Sequence, residues 1–167
     1  RPEIFCEYVF DVCHSLKRAG IENILILNGH GGNVKPLMRR IDEYREKLKV
    51  NLRFQSYWDV YEPALVAALM EHKRLPGHAC EFETSLMLHV RPDLVDMTKI
   101  KPWTSPLSSK WHTIDSISNR VPIFRRFHRI TDSGHTGKPE TATADKGKAI
   151  YDAAVSDVKA FLTEMAT

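Results

Sequence analysis

The feature that most constrains the fold is an uninterrupted apolar run, Ile24-Leu25-Ile26-Leu27, which directly follows Asn23. A short apolar run without polar alternation is typical of a strand buried on both faces of a parallel sheet. Apolar residues at helical spacing precede it over 4–16 and follow it over 37–48, and residues 52–57 predict a second strand. This order of helix, strand, helix and strand predicts an α/β fold, with a mostly parallel sheet flanked by helices.

The second half of the chain has weaker patterns. We predict a short helix over 63–70 and a second helix over 83–90. A long loop over 99–119, an edge strand over 121–130 and a closing helix over 143–165 are predicted to follow. A loop of that length is often functional. Because no internal repeat or low-complexity segment interrupts the chain, residues 1–167 are predicted to form a single domain.

Composition narrows the class of protein. With 167 residues, 43% of them hydrophobic and 27% charged, the chain is typical of a soluble globular protein. The net charge of +3 is too small, and its basic residues too scattered, to indicate nucleic-acid binding. The nearest approach to a basic cluster is Arg125 and Arg126 with Arg129.

The start of the chain and its cysteines bear on location. No signal-peptide pattern opens the sequence, and no apolar run approaches the roughly 20 residues that cross a bilayer. The sequence has 3 cysteines, with no CxxC spacing. We therefore expect a reducing compartment, a cytoplasmic location, no disulfide framework and no membrane partner.

A glycine-rich turn, Asn28-Gly29-His30-Gly31-Gly32-Asn33, directly follows the first predicted strand. Ligands of open α/β sheets bind outside the carboxyl ends of the strands, which makes His30 a candidate catalytic or metal-binding residue. The alternative is a polar residue tolerated in a tight turn, which Asn28 and Asn33 can brace. The glycine spacing does not match the dinucleotide-binding pattern G-x-G-x-x-G.

A second candidate site is Gly77-His78-Ala79-Cys80-Glu81-Phe82-Glu83-Thr84-Ser85, before a predicted helix. Imidazole and carboxylate together suit a divalent metal, and both are ordinary general bases. Alternatively, Glu81 and Glu83 only suit the positive end of a helix, which leaves His78 unexplained. For Cys80, a buried thiol is favoured over a nucleophile.

These two motifs, together with the stretches 134–139 and 142–147, resemble the creatininase (creatinine amidohydrolase) family. The paired patterns NGHGGN and HAxExETS, in this order and at about this spacing, carry the resemblance over essentially the whole chain. It implies an α/β fold, a hexameric homo-oligomer and a centre of two divalent metal ions, either zinc, manganese or iron. It also implies hydrolysis of C–N bonds in small amides, cyclic amides or formamides, and in one branch of a peptide bond.

The resemblance also implies residue roles. His30 matches the family's metal-binding histidine, and His78 matches a histidine near the substrate that shuttles protons. Creatininase itself has a metal-binding glutamate two residues after the metal histidine, where this chain has Gly32. Glu81 is the expected replacement as ligand of the second metal.

Other residues are assigned supporting roles. We expect three residues to support the metal ligands from a second layer or to serve as alternative ligands: Glu83, Asn28 and Asn33. Glu83 also suits the start of a helix. Trp103 and Trp111, in the predicted long loop, are candidates for substrate binding, with ordinary packing as the alternative.

The chain departs from the family pattern in two places. Arg74-Leu75 replaces the aromatic–acidic pair that creatininase has before its catalytic histidine, so creatinine itself is not the expected substrate. The family's N-terminal Glu-x-His pair and bridging Asp have no counterpart, since Glu71-His72 does not fit. The chain therefore resembles the C-terminal two-thirds of the family fold and should bind metal poorly and be inactive alone.

The predicted function is metal-dependent hydrolysis of a non-peptide C–N bond in a small amide, with His78 moving the proton. A peptidase that matures a small precursor peptide is one alternative, and a non-catalytic scaffold without a complete metal site is another.

Overall fold

A computed structural model of the chain describes residues 1–59, 63–71, 77–104 and 125–166. The chain divides into two compact units, one of Arg1–Tyr61 with Ala154–Thr167 and the other of Glu62–Ala153. Compactness alone does not show that a unit folds independently, so the single domain over 1–167 stays a prediction.

The first unit contains two parallel strands, β1 (Asn23–Asn28) and β2 (Asn51–Ser56). Their register pairs Asn23 with Asn51 and continues to Asn28 opposite Ser56. Both predicted strands are thus present, displaced by a residue at their ends. The expectation that the first is buried on both faces is wrong, because Leu27 is 49% exposed in a sheet that has two strands in the described residues.

Three helices accompany this pair in the order that the sequence predicts. Helix α1 (Pro2–Arg18) precedes β1, while α2 (Val34–Met38) and α3 (Ile41–Leu48) lie between the strands. The single helix predicted there is divided because the chain tightens at Arg40, whose N–H donates to the carbonyl of Leu37 at 2.8 Å.

The core of this unit lies where α1 and α3 meet the strands. Tyr44 is buried, and its hydroxyl donates to the carbonyl oxygen of Cys6 at 2.8 Å. This bond satisfies a hydroxyl that would otherwise be costly to bury. The buried side chains of the cluster are Cys6, Cys13, Ile24, Leu37, Ile41, Tyr44, Leu48 and Leu52.

The described part of the second unit is mostly helical. It contains α4 (Pro63–Leu69), α5 (Glu81–Val90) and the first part of α6 (Ala144–Met165). Short 3-10 helices complete its described part, at Pro92–Leu94, Met97–Lys99, Phe127–Arg129 and Pro139–Thr141.

The predicted edge strand over 121–130 is wrong in its described part. Residues Phe127–Arg129 form a 3-10 helix, and the N–H of Arg129 donates to the carbonyl of Arg126 at 2.9 Å. The backbone is satisfied by local bonds instead of a neighbouring strand. Residues 121–124, and 105–119 of the predicted loop, lie outside the described residues.

Two further findings concern membrane-spanning helices and cysteines. None of the helices in the described ranges is long and apolar enough to cross a membrane. Cys6, Cys13 and Cys80 are free thiols, and all three are buried.

Candidate functional site

The turn after β1 is braced by the buried side chain of Asn28. Its amide nitrogen donates to the carbonyl of His30 and to the hydroxyl of Ser56, both at 3.0 Å. Its oxygen accepts from the backbone N–H of His30 and from the side chain of Asn33, both at 3.2 Å. Asn33 precedes α2 but makes no capping bond to it. Asn28 therefore holds His30 at the carboxyl end of β1 through backbone contacts that leave the imidazole exposed.

Gly32 accommodates the imidazole of His30. A Cβ atom at position 32 would lie 2.8 Å from Nε2 of that ring, closer than side-chain carbons approach. The ring thus occupies the place where a side chain at position 32 would begin. The position that holds a glutamate in creatininase itself must be a glycine for this orientation of His30.

His78 is fixed through its backbone and its ring. Its N–H donates to the hydroxyl of Thr136 at 2.9 Å, and its carbonyl accepts from the N–H of Thr136 at 2.7 Å. The ring lies edge-on to Phe127, with centroids 4.8 Å apart and planes at 85°. Gly77 leaves room for this contact, because a Cβ there would lie 2.4 Å from the Thr136 hydroxyl oxygen. A half-buried imidazole held this way is suited to proton transfer.

Two residues of the motif form the start of α5. The carboxylate of Glu83 accepts from the N–H of Ala79 at 2.6 Å, and the hydroxyl of Thr84 donates to the carbonyl of Ala79 at 3.0 Å. Ala79 has a positive φ of 42°, unusual for a residue with a side chain. Glu83 thus has the contacts of a helix-start carboxylate, which the sequence offered as one of its two roles.

Glu81 is the buried acid of the site, with 3% of its surface exposed. Its Oε1 accepts from Nζ of Lys146 at 2.7 Å and from the N–H of Glu71 at 3.0 Å. Lys146 also donates to the Glu71 carboxylate at 2.9 Å and to the carbonyl of Thr141 at 2.8 Å. Hydrogen bonds to Glu81 and then to Glu71 raise the pKa of Lys146 above its usual range. The buried carboxylate is thus matched by a fixed ammonium.

The remaining candidates lie as follows. Trp103 is half-buried, and its indole N–H donates to the carbonyl of Ile130 at 3.1 Å. Trp111 and Arg74-Leu75 lie outside the described residues. Burial raises the pKa of the Cys80 thiol, which agrees with a structural and not a nucleophilic cysteine.

Sequence reasoning missed the partners of the two central residues. Lys146 belongs to a stretch that carried the family resemblance, but no role was assigned to it. Thr136 and Phe127 were not connected with His78. Only the tertiary structure pairs residues that lie 49 to 65 positions apart, and helical or strand periodicity holds no signal for such pairs.

Removal of the Lys146 charge is expected to destabilise the metal-free protein. Lys146→Met leaves the buried Glu81 carboxylate without its ammonium, which should lower the free energy of unfolding by about 3 kcal/mol. Urea denaturation followed by circular dichroism measures the change. Lys148→Met is the matched control, because Lys148 is exposed and pairs only with the exposed Asp152. Equal losses in both variants would contradict a special role for the Lys146–Glu81 pair.

The comparison with known families decides the class of this chain. The family model described as creatinine amidohydrolase (Creatininase) matches residues 1–162. The chain belongs to the creatininase family. The assignment from NGHGGN and HAxExETS is confirmed.

Two curated relatives in the family match at low identity. A creatinine amidohydrolase of Pseudomonas putida is 28% identical over 160 residues, which are 90% of this chain and 58% of that protein. A mycofactocin precursor peptide peptidase of Mycobacterium ulcerans (strain Agy99) is 25% identical over 138 residues, 81% of this chain and 46% of that protein. The chain thus spans about half the length of these creatininase-family relatives.

Solved creatininase structures share the fold. A structure titled as the Mn form of creatininase has a TM-score of 0.79 at 24% identity, covering 98% of this chain and 64% of that one. A Zn-Zn form of a mutant creatininase has a TM-score of 0.78 at 24% identity, and the match covers 98% of this chain and 64% of that one. The α/β prediction, with parallel strands and flanking helices, is confirmed.

Whether a metal centre fits this creatininase-like chain depends on its donors. An imidazole at His30 and a carboxylate at Glu81 are ligands that zinc and manganese accept. Within the described ranges, however, no group of three or more His, Cys, Asp and Glu side chains is placed to hold a metal ion. The described residues therefore include donors of a suitable kind for such a centre, but too few of them to form it.

Proposed function

We propose that the full-length protein is a metal-dependent amidohydrolase acting on a non-peptide C–N bond of a small amide, cyclic amide or formamide. Water is added across that bond, so that an acid and an amine (for a cyclic amide, both on one molecule) leave. The observation that carries the proposal is that His78 lies just before α5, which begins at the buried Glu81, in a chain whose residues 1–162 match the creatininase family. The activity of the Pseudomonas putida relative supports the same class of reaction.

His30 and Glu81 are the residues we assign to two divalent ions, either zinc, manganese or iron. Such ions supply Lewis acidity to a carbonyl oxygen and make water nucleophilic near neutral pH. Two ligands are too few for two ions, so further donors must come from outside the described residues. Asn28 supports this assignment, because two of its four hydrogen bonds fix the backbone of His30.

His78 is the residue we assign to proton transfer. It would accept a proton from the attacking water and deliver it to the leaving nitrogen. Its double backbone bond to Thr136 and its contact with Phe127 restrict the imidazole to one region of the site, as a positioned acid–base requires. Glu83 would support the ligands only indirectly, through Ala79.

Peptidase activity is the second candidate function. It is favoured by one specific finding, the match to the mycofactocin precursor peptide peptidase. A scaffold without catalysis is the third, and it would follow if the full-length protein holds no metal. Homo-oligomer formation, as a hexamer, and a cytoplasmic location stay predictions.

The test combines metal content with a substrate panel. We expect the full-length protein to contain divalent metal by mass spectrometry and to release amine from a small formamide or cyclic amide, with activity lost to a chelator and restored by metal. His30→Ala should lose most of the metal, whereas His14→Ala, at an exposed position of α1, should keep it.

The outcomes separate the three functions. Full metal retention in His30→Ala would remove His30 from the ligand set. Cleavage of peptides without any turnover of small amides would select the peptidase. Absence of both metal and turnover in the wild-type protein would select the scaffold.

A further inference from the structure

A basic cavity lies in the unit of residues 62–153. It has a volume of about 690 Å³ and, among the described residues, is lined by Arg125, Arg126, His128 and Arg129. All four residues are exposed. In the described part of the chain, none of the three arginines forms an ion pair with a carboxylate.

The grouping of unpaired arginines makes this cavity distinctive. Arg40, Arg45 and Arg91 each pair with a nearby carboxylate, at 2.7, 3.0 and 2.6 Å respectively. Arg125, Arg126 and Arg129 have no such carboxylate partner among the described residues, and all three border the same concavity. Three uncompensated guanidinium groups around one concavity therefore form a local site and not an extended basic stripe of the kind that tracks a nucleic-acid backbone.

Guanidinium chemistry indicates what such a cavity binds. Each group offers a planar fork of N–H donors that matches the oxygens of a carboxylate or phosphate, often with two parallel bonds. Like charges gathered in a cleft also concentrate anions from solution. A bound anion would relieve the mutual repulsion of the three arginines.

The segment that carries these arginines contacts His78 through Phe127. Phe127 stands between Arg126 and His128 and lies edge-on to the His78 ring, 4.8 Å between centroids. The far end of the same segment is held by Trp103, which donates to the carbonyl of Ile130 at 3.1 Å. These two contacts fix the arginine-bearing segment next to the residue assigned to proton transfer.

We propose that this cavity binds an anionic group, a carboxylate or a phosphate, carried by the amide substrate. The inference rests on the proposed function for its link to catalysis, because Phe127, which lies between Arg126 and His128 in the chain, contacts the ring of His78. It makes the substrate class a negatively charged amide. Trp103 then acts by anchoring the binding segment at Ile130, a different role from the direct substrate contact that the sequence suggested.

The binding test needs no turnover. Inorganic phosphate and succinate are titrated by calorimetry into the full-length protein, into Arg125→Gln/Arg129→Gln and into Arg18→Gln/Arg39→Gln. The last variant loses the same charge at exposed arginines outside the cavity. We expect one or both anions to bind at least tenfold more weakly to the cavity variant and unchanged to the control. The tighter of the two anions identifies phosphate or carboxylate as the group recognised.

Three results would overturn the proposal. The first is no saturable binding of either anion by the wild-type protein, and the second is equal weakening in both double variants. The third is a short RNA that binds through Arg125 and Arg129 far more tightly than phosphate, which would assign the cavity to nucleic acid.

Hydrolysis assays separate this proposal from the proposed function. If N-formylglycine is a substrate, its KM should rise about tenfold in the cavity variant, while the KM of N-formylglycinamide, which lacks the carboxylate, should not change. Anion binding without any amide hydrolysis would leave the cavity as an anion site and contradict the amidohydrolase. Hydrolysis of both formamides with no anion binding would contradict the cavity alone.

Discussion

His78→Asn in the full-length protein is expected to lower kcat for amide hydrolysis by about 10²- to 10⁴-fold, the usual contribution of a positioned general acid–base. Asparagine keeps a polar side chain of similar reach but cannot accept and return a proton near neutral pH. The backbone bonds of residue 78 to Thr136 do not depend on the imidazole, so the loop should keep its conformation. Steady-state kinetics measures the change, with thermal melting as the check on folding.

A second observation distinguishes proton transfer from a structural role of His78. His78→Ala should regain part of its kcat when imidazole is added to the solution, because free imidazole can replace the missing base. His14→Asn, on the exposed surface of α1, should retain wild-type kcat. A His78→Asn variant with unchanged kcat and a raised KM would show that this residue binds substrate and does not move a proton.

Local patterns were sufficient for the elements around His30. The run 23–27 placed β1 correctly, although burial on both faces was wrong for Leu27, and the turn after it could be placed from its glycines alone. The division between α2 and α3 was not predicted, since it depends on a single tight turn at Arg40. The edge strand over 121–130 was wrong in its described part for a related reason. Its backbone forms local hydrogen bonds in the 3-10 helix at Phe127–Arg129.

The residues of the candidate site could be predicted from the sequence, but their contacts could not. The two histidines and Glu81 were found from motifs, because each motif is continuous in sequence. Their contacts were not, because Lys146 and Phe127 reach Glu81 and His78 only through packing of distant segments. The arginines of the basic cavity show the same difference between finding residues and finding their contacts. They were visible as a weak cluster, but nothing in the sequence placed them beside His78.

Gly147→Ala is expected to destabilise the protein by about 3 kcal/mol, although alanine is ordinarily favoured over glycine in a helix by roughly 1 kcal/mol. A Cβ at position 147 would lie 1.8 Å from the carbonyl oxygen of Ser85 and 3.0 Å from Cβ of His89. The obstructing oxygen belongs to the backbone of α5, so the two helices must move apart. Urea denaturation measures the loss. Gly29→Ala is the matched control, because a Cβ at position 29 meets nothing within 4 Å.

The same close approach governs the Glu81–Lys146 pair. Lys146 directly precedes Gly147 on α6, and Glu81 begins α5, so separating the helices should also lengthen the 2.7 Å contact between the two charges. The Lys146→Met substitution should therefore cost less in a Gly147→Ala background than in the wild-type protein, a coupling that a double-mutant cycle measures. Additive losses would show that the helices accommodate the extra methyl without disturbing the pair. A smaller loss in the Gly147→Ala background would mean that Gly147, through the close helix packing that it permits, determines the environment of the buried Glu81 carboxylate.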